Sequence, residues 1–259
     1  MFSKFQKVKN IIFQLFNKKR SIIILDKLLS RLYSLNRINK TNNNNLDKLS
    51  IKISDFCLSY NKELWEESKE FGEKLLKESK QKLKDISFPF GGGGAYELLY
   101  FITRYTKPSL IIETGVAAGY SSKAFLEAIN MNEKGKLFSS DFPYFRETNA
   151  ANYIGLLVED KYKKNWDLSI EGDINFVKTL SKKLKESSID LFHYDSDKSY
   201  RGRKNTFNAV KKYLNKKCII IFDDIQDNSH FLDFSKGYSK DKVKIFEFNG
   251  KYIGMIWNL

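Results

Sequence analysis

Beyond Lys107 short apolar runs alternate with longer helical stretches, and no other feature of the chain constrains its fold as tightly. The runs "SLIIETG", "GKLFSSD", "DLSIEGD", "IDLFHYD" and "KCIIIFDD" are rich in Ile, Leu and Phe, and each ends in an acid or a glycine. Continuous apolar runs of this length suit parallel strands covered on both faces, and the segments between them are long enough for crossover helices. The rhythm then changes. "KVKIFEFNGKYIGMIWNL" reads as two strands joined by Asn249-Gly250, a strong two-residue hairpin signal. The expected fold class is α/β: a seven-stranded sheet, parallel with a C-terminal antiparallel hairpin, with helices on both faces. The acids of these runs fall at the carboxyl ends of the strands, where open α/β sheets bind their ligands.

Upstream, "NKELWEESKEFGEKLLKESKQKL" carries Leu64, Phe71, Leu75 and Leu76 at helical intervals, and "AYELLYFITRY" is a more apolar helix. Between them "FPFGGGG", Phe88 to Gly94, reads either as a hinge or as backbone that must lie close to something. The first 50 residues hold eleven Lys or Arg against Asp26 and Asp47, so this leader supplies +9 of the net +14. In it Phe2, Phe5, Val8, Ile12, Phe13 and Phe16 recur at helical spacing among Lys4, Lys7, Lys9, Lys18, Lys19 and Arg20. Three readings stand: a helix packed on its own domain or a partner, an amphipathic helix on an anionic membrane surface, or a nucleic-acid contact. "NKTNNNNLDK", residues 39 to 48, reads as a polar linker. The organisation expected is a basic helical leader and linker over 1–48, a helical lead-in over 49–106 and a core over 107–259. No apolar stretch is long enough to span a bilayer, no signal peptide is expected, and Cys57 and Cys218 alone exclude a disulfide scaffold or cysteine zinc cluster. The expected location is cytoplasmic, with the leader able to rest peripherally on a membrane.

The turn in "PSLIIETGVAAGYSSKAF" has Gly115 and Gly119 as G-x-x-x-G and lacks the middle glycine of a pyrophosphate-binding G-x-G-x-x-G. Glu113 adds negative charge, which disfavours a phosphate and suits an ammonium or a sulfonium. The ligand that fits carries an amino-acid head, a positive sulfur and an adenosine.

With "ETGVAAG" after the first strand, "DSDKSY" after the fourth and "YIGLLVEDKYKKNWDLSIEGD" before and through the third, the chain resembles the class I S-adenosylmethionine-dependent methyltransferases from about Phe88 to its end. It looks closest to their small-molecule and sugar O-methyltransferases, which implies a Rossmann-like sheet. Carried over by position, the resemblance puts Glu113, Gly115 and Gly119 on the methionine portion of S-adenosylmethionine and counts Ser121 among the cofactor-binding residues. It puts Asp141 on the ribose hydroxyls and Asp173 on the adenine amino group, and Asp195 is a further cofactor-binding candidate.

Asp195 and Asp197 close the fourth run, and Asp223 and Asp224 close the fifth. Carboxylates crowded on adjacent strand ends call for a cation or several donors, and hard oxygen ligands suit Mg²⁺. Asp195, Asp223 and Asp224 are the candidate metal ligands, with Asn228 outside them; a metal-free arrangement of caps and bonds to Lys198, Ser199 or Tyr200 stands beside that reading. The family pattern has histidine where this chain has Lys198, which neighbouring carboxylates would keep protonated. The candidate catalytic residues are therefore Asp195, Lys198 and, as an alternative base, His230; His193, inside an apolar strand, reads as a core histidine. The expected activity is O-methylation of a small hydroxylated acceptor such as a sugar, a glycan or a secondary metabolite. An RNA methyltransferase and a non-catalytic relative are the alternatives, and the modest charge of the main domain speaks against nucleic acid.

Overall fold

The computed structural model describes residues 4–16, 20–25, 29, 43–86, 93–142 and 150–258. Seven strands form one sheet in the spatial order β3-β2-β1-β4-β5-β7-β6. They are β1 (Leu110–Thr114), β2 (Lys136–Ser140), β3 (Trp166–Ser169), β4 (Ile189–Tyr194), β5 (Leu214–Phe222), β6 (Val243–Phe248) and β7 (Lys251–Ile256). The first five pair in parallel, and β7 lies antiparallel to both β5 and β6. At the hairpin Asn249 and Gly250 both have positive φ, 52° and 77°, as the twist-matched two-residue turn requires.

Successive strand residues feed opposite layers of core. Ile111, Leu191, Ile219 and Ile221 pack with the helices of one face, whereas Ile112, Phe192, Ile220 and Phe222 pack on the other. That two-sided burial is why these runs lack the alternation of a half-exposed strand. The first face is covered by α4 (Lys62–Leu83), α5 (Tyr96–Thr106) and α6 (Tyr120–Asn132); the second by α7 (Asp173–Leu180), α8 (Tyr200–Val210) and α9 (His230–Ser235). In α4 the buried stripe is Trp65, Ser68, Phe71, Gly72, Leu75 and Ser79, so Leu76 of the expected stripe points outward. Asn61 starts α4 by accepting the Leu64 amide at 2.9 Å. Lys123 of α6, almost wholly buried, joins α4 to the core by pairing with Glu78 and, at 2.9 Å, with Glu159.

The leader departs from expectation in one place. Asn43–Leu49, read as part of a polar linker, is a helix, α2, whose Leu46 is fully buried in the second core layer. One apolar side chain and the bond from the Tyr252 hydroxyl to Asp47 fasten it to β7. Ile51 continues this attachment by bridging to Phe246 of β6, and α3 (Ile53–Tyr60) follows. Earlier, α1 (Lys4–Leu15) forms as the spacing predicts, with Val8, Ile12, Leu15 and Phe16 exposed. Ile24 is buried and Ile23 lies against Gly172, so the segment after α1 touches the loop between β3 and α7. Phe2 and residues 88–92 lie outside the described residues. No helix among the described residues is long and apolar enough to cross a membrane.

Candidate active site at the carboxyl edge of the sheet

β1 ends in Glu113 and Thr114, and the chain then turns into α6. The turn is fastened to both neighbouring strands: Gly115 donates its amide to the Ser140 carbonyl at 2.8 Å, and Asp195 donates to the Thr114 carbonyl at 2.7 Å. Gly115 has φ +86°, and a Cβ there would overlap the Asp195 carbonyl, so only glycine lets β1 and β4 end side by side. Gly119 follows as the residue that precedes α6.

Glu113 is fully buried. It accepts hydroxyl bonds from Ser121, Ser122 and Ser139, each at 2.6 Å. Trp166 Nε1 in turn donates to Ser139 at 2.9 Å. Burial pushes the Glu113 carboxyl up to about 7, against the pull of the hydroxyls. Sequence reasoning aims this acid at a positive ligand, whereas the structure spends both its oxygens on hydroxyls of α6 and β2. Asp141 is committed in a similar way: Oδ2 accepts the amides of Val116 and Ala117 at 3.1 and 2.7 Å, and Oδ1 that of Phe142 at 2.6 Å. Asp173 is placed as the first residue of α7, beyond rather than at the end of β3, where it accepts from Ser140 at 2.7 Å and from Ser196.

The second group of acids lies across β4 and β5. One oxygen from each of Asp195, Asp223 and Asp224 falls within 4.8 Å of the others, as the sequence expects of a metal-ligand set. Ammonium groups already serve them. Lys198 pairs with Asp195 and reaches Asp224 Oδ2 at 2.8 Å, while Lys251, at the start of β7, lies 3.1 Å from Asp224 Oδ1. Burial raises the Asp224 carboxyl, but the two lysines outweigh it and hold the group down at about 2. Asp223 is pushed up to about 7 by burial and by the Asp195 charge. Lys198 is held protonated: burial opposes its charge, and Asp195, Asp223 and Asp224 overcome that opposition. A Cβ on Gly94 would stand 2.8 Å from Asp223 Oδ2, so the end of the glycine run lies directly on this cluster.

Both histidines are packed. His193 is 2% exposed, rests edge-on against Phe125 and stays neutral, its imidazole pushed down to about 4 by burial. His230 sits between Tyr200 and Phe222, with ring centroids 5.2 and 5.3 Å away, and stacks on Phe234; burial and then Arg203 push it down to about 4. Asn228 accepts the His230 amide at 3.0 Å and donates to the Lys198 carbonyl at 2.7 Å. Two contributors escape sequence reasoning. Lys251 belongs to a hairpin whose register on β5 no local pattern gives, and the fully buried Arg203 of α8 donates to the Asp224 carbonyl at 2.8 Å.

Residues 112–225 match a family model described as a methyltransferase domain. That match covers 114 of the 259 residues. The matched span runs from β1 to the turn after β5, so it contains Glu113, Asp141, Asp173, Asp195, Lys198, Asp223 and Asp224, and excludes Gly94 and Lys251. Solved structures share the fold of the methyltransferase domain at low identity. The O-methyltransferase TomG from Streptomyces achromogenes, involved in tomaymycin synthesis and solved in complex with SAM, is 16% identical with a TM-score of 0.55, over 71% of this chain and 89% of its own. A putative O-methyltransferase from Klebsiella pneumoniae is 13% identical with a TM-score of 0.52, over 82% and 99% of the two chains. An O-methyltransferase from Bacillus cereus, in complex with SAH, is 12% identical with a TM-score of 0.51 over the same shares, 82% and 99%. No curated protein matches this chain in sequence.

Proposed function

We propose that the chain transfers a methyl group from S-adenosylmethionine to a hydroxyl of a small acceptor, such as a sugar, a glycan unit or a secondary metabolite. One observation carries the reading: within the matched methyltransferase domain, the Gly115 turn rests on the Asp195 backbone, so the side proposed for the cofactor and the carboxylate cluster share one edge. The donor set suits the cofactor. Asp141 and Asp173 are acceptors for ribose hydroxyls and an adenine amino group, and Gly115, Gly119 and Ser121 line the approach to the methionine portion, with Glu113 fixing Ser121 from beneath. When bound, the cofactor would supply an electrophilic sulfonium methyl and, as the neutral thioether, the leaving group, and the acceptor hydroxyl's proton would be left for the protein to take.

The protein's part is to align, to exclude water and to take that proton. We assign the proton to Asp195, the most open of the three carboxylates at 26% exposure, in preference to His230, which is enclosed by rings. Lys198, charged beside Asp195, donates to the acceptor oxygen as negative charge develops there. Gly93 and Gly94, against Tyr120 and Asp223, cover the cluster. A divalent ion does not fit this arrangement, because Lys198 bridges Asp195 and Asp224 and Lys251 holds the other oxygen of Asp224.

Calorimetric titration with S-adenosylmethionine tests the reading. Micromolar binding that falls at least tenfold in Asp141→Ala supports it, a loss of about 1.4 kcal/mol; no binding by folded protein overturns it in favour of a non-catalytic relative. The leader supports a finer placement. Exposed Val8, Ile12, Leu15 and Phe16 within a +9 segment suit peripheral docking on an anionic bilayer, which would bring a lipid-linked acceptor within reach. Co-sedimentation with phosphatidylglycerol vesicles and not with phosphatidylcholine vesicles is the expected result, and equal recovery with both removes the placement.

A further inference from the structure

Three carboxylates converging within 4.8 Å need a cation among them to remain charged together. Oxygen ligands of this kind suit a hard divalent ion. Here the chain brings its own cations, and the surrounding backbone shows that their placement is built. Lys198 lies in a loop fixed on both sides: Asp197 accepts the Ser199 amide at 2.9 Å, Ser199 accepts the Gly202 amide at 3.0 Å to start α8, and Asn228 binds the Lys198 carbonyl. Asp224 is pinned as well, in a left-handed conformation (φ +51°) with its carbonyl held by Arg203. Lys251 is delivered from β7, whose position beside β5 is set by the antiparallel register Ile220 to Ile256 through Phe222 to Gly254. The result is a chain of charges running Asp195, Lys198, Asp224, Lys251.

We infer that the Lys198 ammonium occupies the cation position among Asp195, Asp223 and Asp224, with Lys251 completing the neutralisation from β7, so that the site takes no divalent ion. The consequence for substrate rests on the proposed function: with two of its three N–H donors given to Asp195 and Asp224, the Lys198 ammonium has one left for an acceptor oxygen, whereas a chelated ion holds two. The acceptor class is therefore an isolated hydroxyl rather than a chelating diol. Electrostatics points the same way. Three carboxylates and two ammonium groups leave the cluster a formal charge of −1, which favours a sulfonium alongside; a divalent ion in place of the Lys198 ammonium would bring it to zero and remove that attraction.

The test uses Mn²⁺ alone, followed by electron paramagnetic resonance and calorimetry on the full chain, with S-adenosylmethionine titrated in parallel. Wild-type protein is expected to bind Mn²⁺ no more tightly than about 1 mM, the weak end of protein sites, and to bind S-adenosylmethionine equally with and without EDTA. Lys198→Met, and separately Lys251→Met, should gain Mn²⁺ affinity by about tenfold or more as a carboxylate loses its partner. Saturable wild-type binding below about 0.1 mM that is lost in Asp224→Asn overturns the inference, as does a folded Lys198→Met that gains nothing. The wild-type titration decides the matter even where a variant does not fold. Absent S-adenosylmethionine binding together with absent Mn²⁺ binding sinks the methyltransferase reading and leaves the lysine inference standing.

Discussion

The two halves of the sheet's carboxyl edge keep their acids in different company. Along β1 and β2, and at the start of α7, Glu113, Asp141 and Asp173 are held by hydroxyls and backbone amides. Along β4, β5 and β7, Asp195 and Asp224 are held by ammonium groups. Neutral donors leave a carboxylate further lone pairs to offer a ligand's hydroxyl or amino groups; ammonium partners cancel its charge locally and supply donors of their own. The first half thus suits a ligand rich in hydrogen-bond donors, and the second an oxygen becoming negative.

The contrast can be broken most severely where the halves join. Gly115→Ala forces a side chain into a positive φ and onto the Asp195 carbonyl, and we expect a loss of about 4 kcal/mol in chemical denaturation from strain and overpacking together. The same change to Ala at Gly250, where nothing lies within 4 Å of a new Cβ, should cost only the backbone strain and so isolates the clash.

The next largest effect is a pH dependence of stability that has a source in each half. Glu113 and Asp223 both have carboxyls raised to about 7, so the folded state holds protons that the unfolded state has released. Their contribution is complete below the ordinary carboxylate range and is lost as pH rises towards and through about 7. For Glu113 that amounts to about 3 kcal/mol. Melting from pH 5 to pH 8 should show the decline, and Glu113→Gln should flatten its share of it. A slope unchanged in that variant would mean the serine hydroxyls keep the group ionised.

Asp224 moves in the opposite direction. Held down at about 2 by Lys198 and Lys251, it contributes stability that is present above its ordinary value and lost as pH falls through about 2. Asp224→Asn should therefore cost about 2 kcal/mol near neutrality, and raised salt should narrow the gap between the two proteins. In the leader the effect on folding should be smallest: Val8→Ser and Phe16→Ser, at exposed positions, are expected to change stability by less than about 0.5 kcal/mol. Vesicle co-sedimentation should fall in the same variants.

Much of this molecule follows from local pattern. Apolar runs without alternation already demand strands covered on both faces, and Asn249-Gly250 demands the hairpin, because burial periodicity and turn stereochemistry act over a few residues. The acids at the run ends were legible as one edge for the same reason, since parallel strands carry all their carboxyl ends to one side. Which partner each acid takes was not legible. Lys251 stands 27 residues from Asp224, and Tyr252 finds Asp47 across 205 residues. The helix in the asparagine-rich leader depends on Leu46 finding the second core layer, which composition alone does not disclose. The sequence by itself determined the sheet, its hairpin and the edge on which chemistry can occur. Only the tertiary structure decided that Glu113 answers to serines and that Asp195 and Asp224 answer to lysines, because register and packing between distant segments choose among donors that local chemistry leaves equivalent.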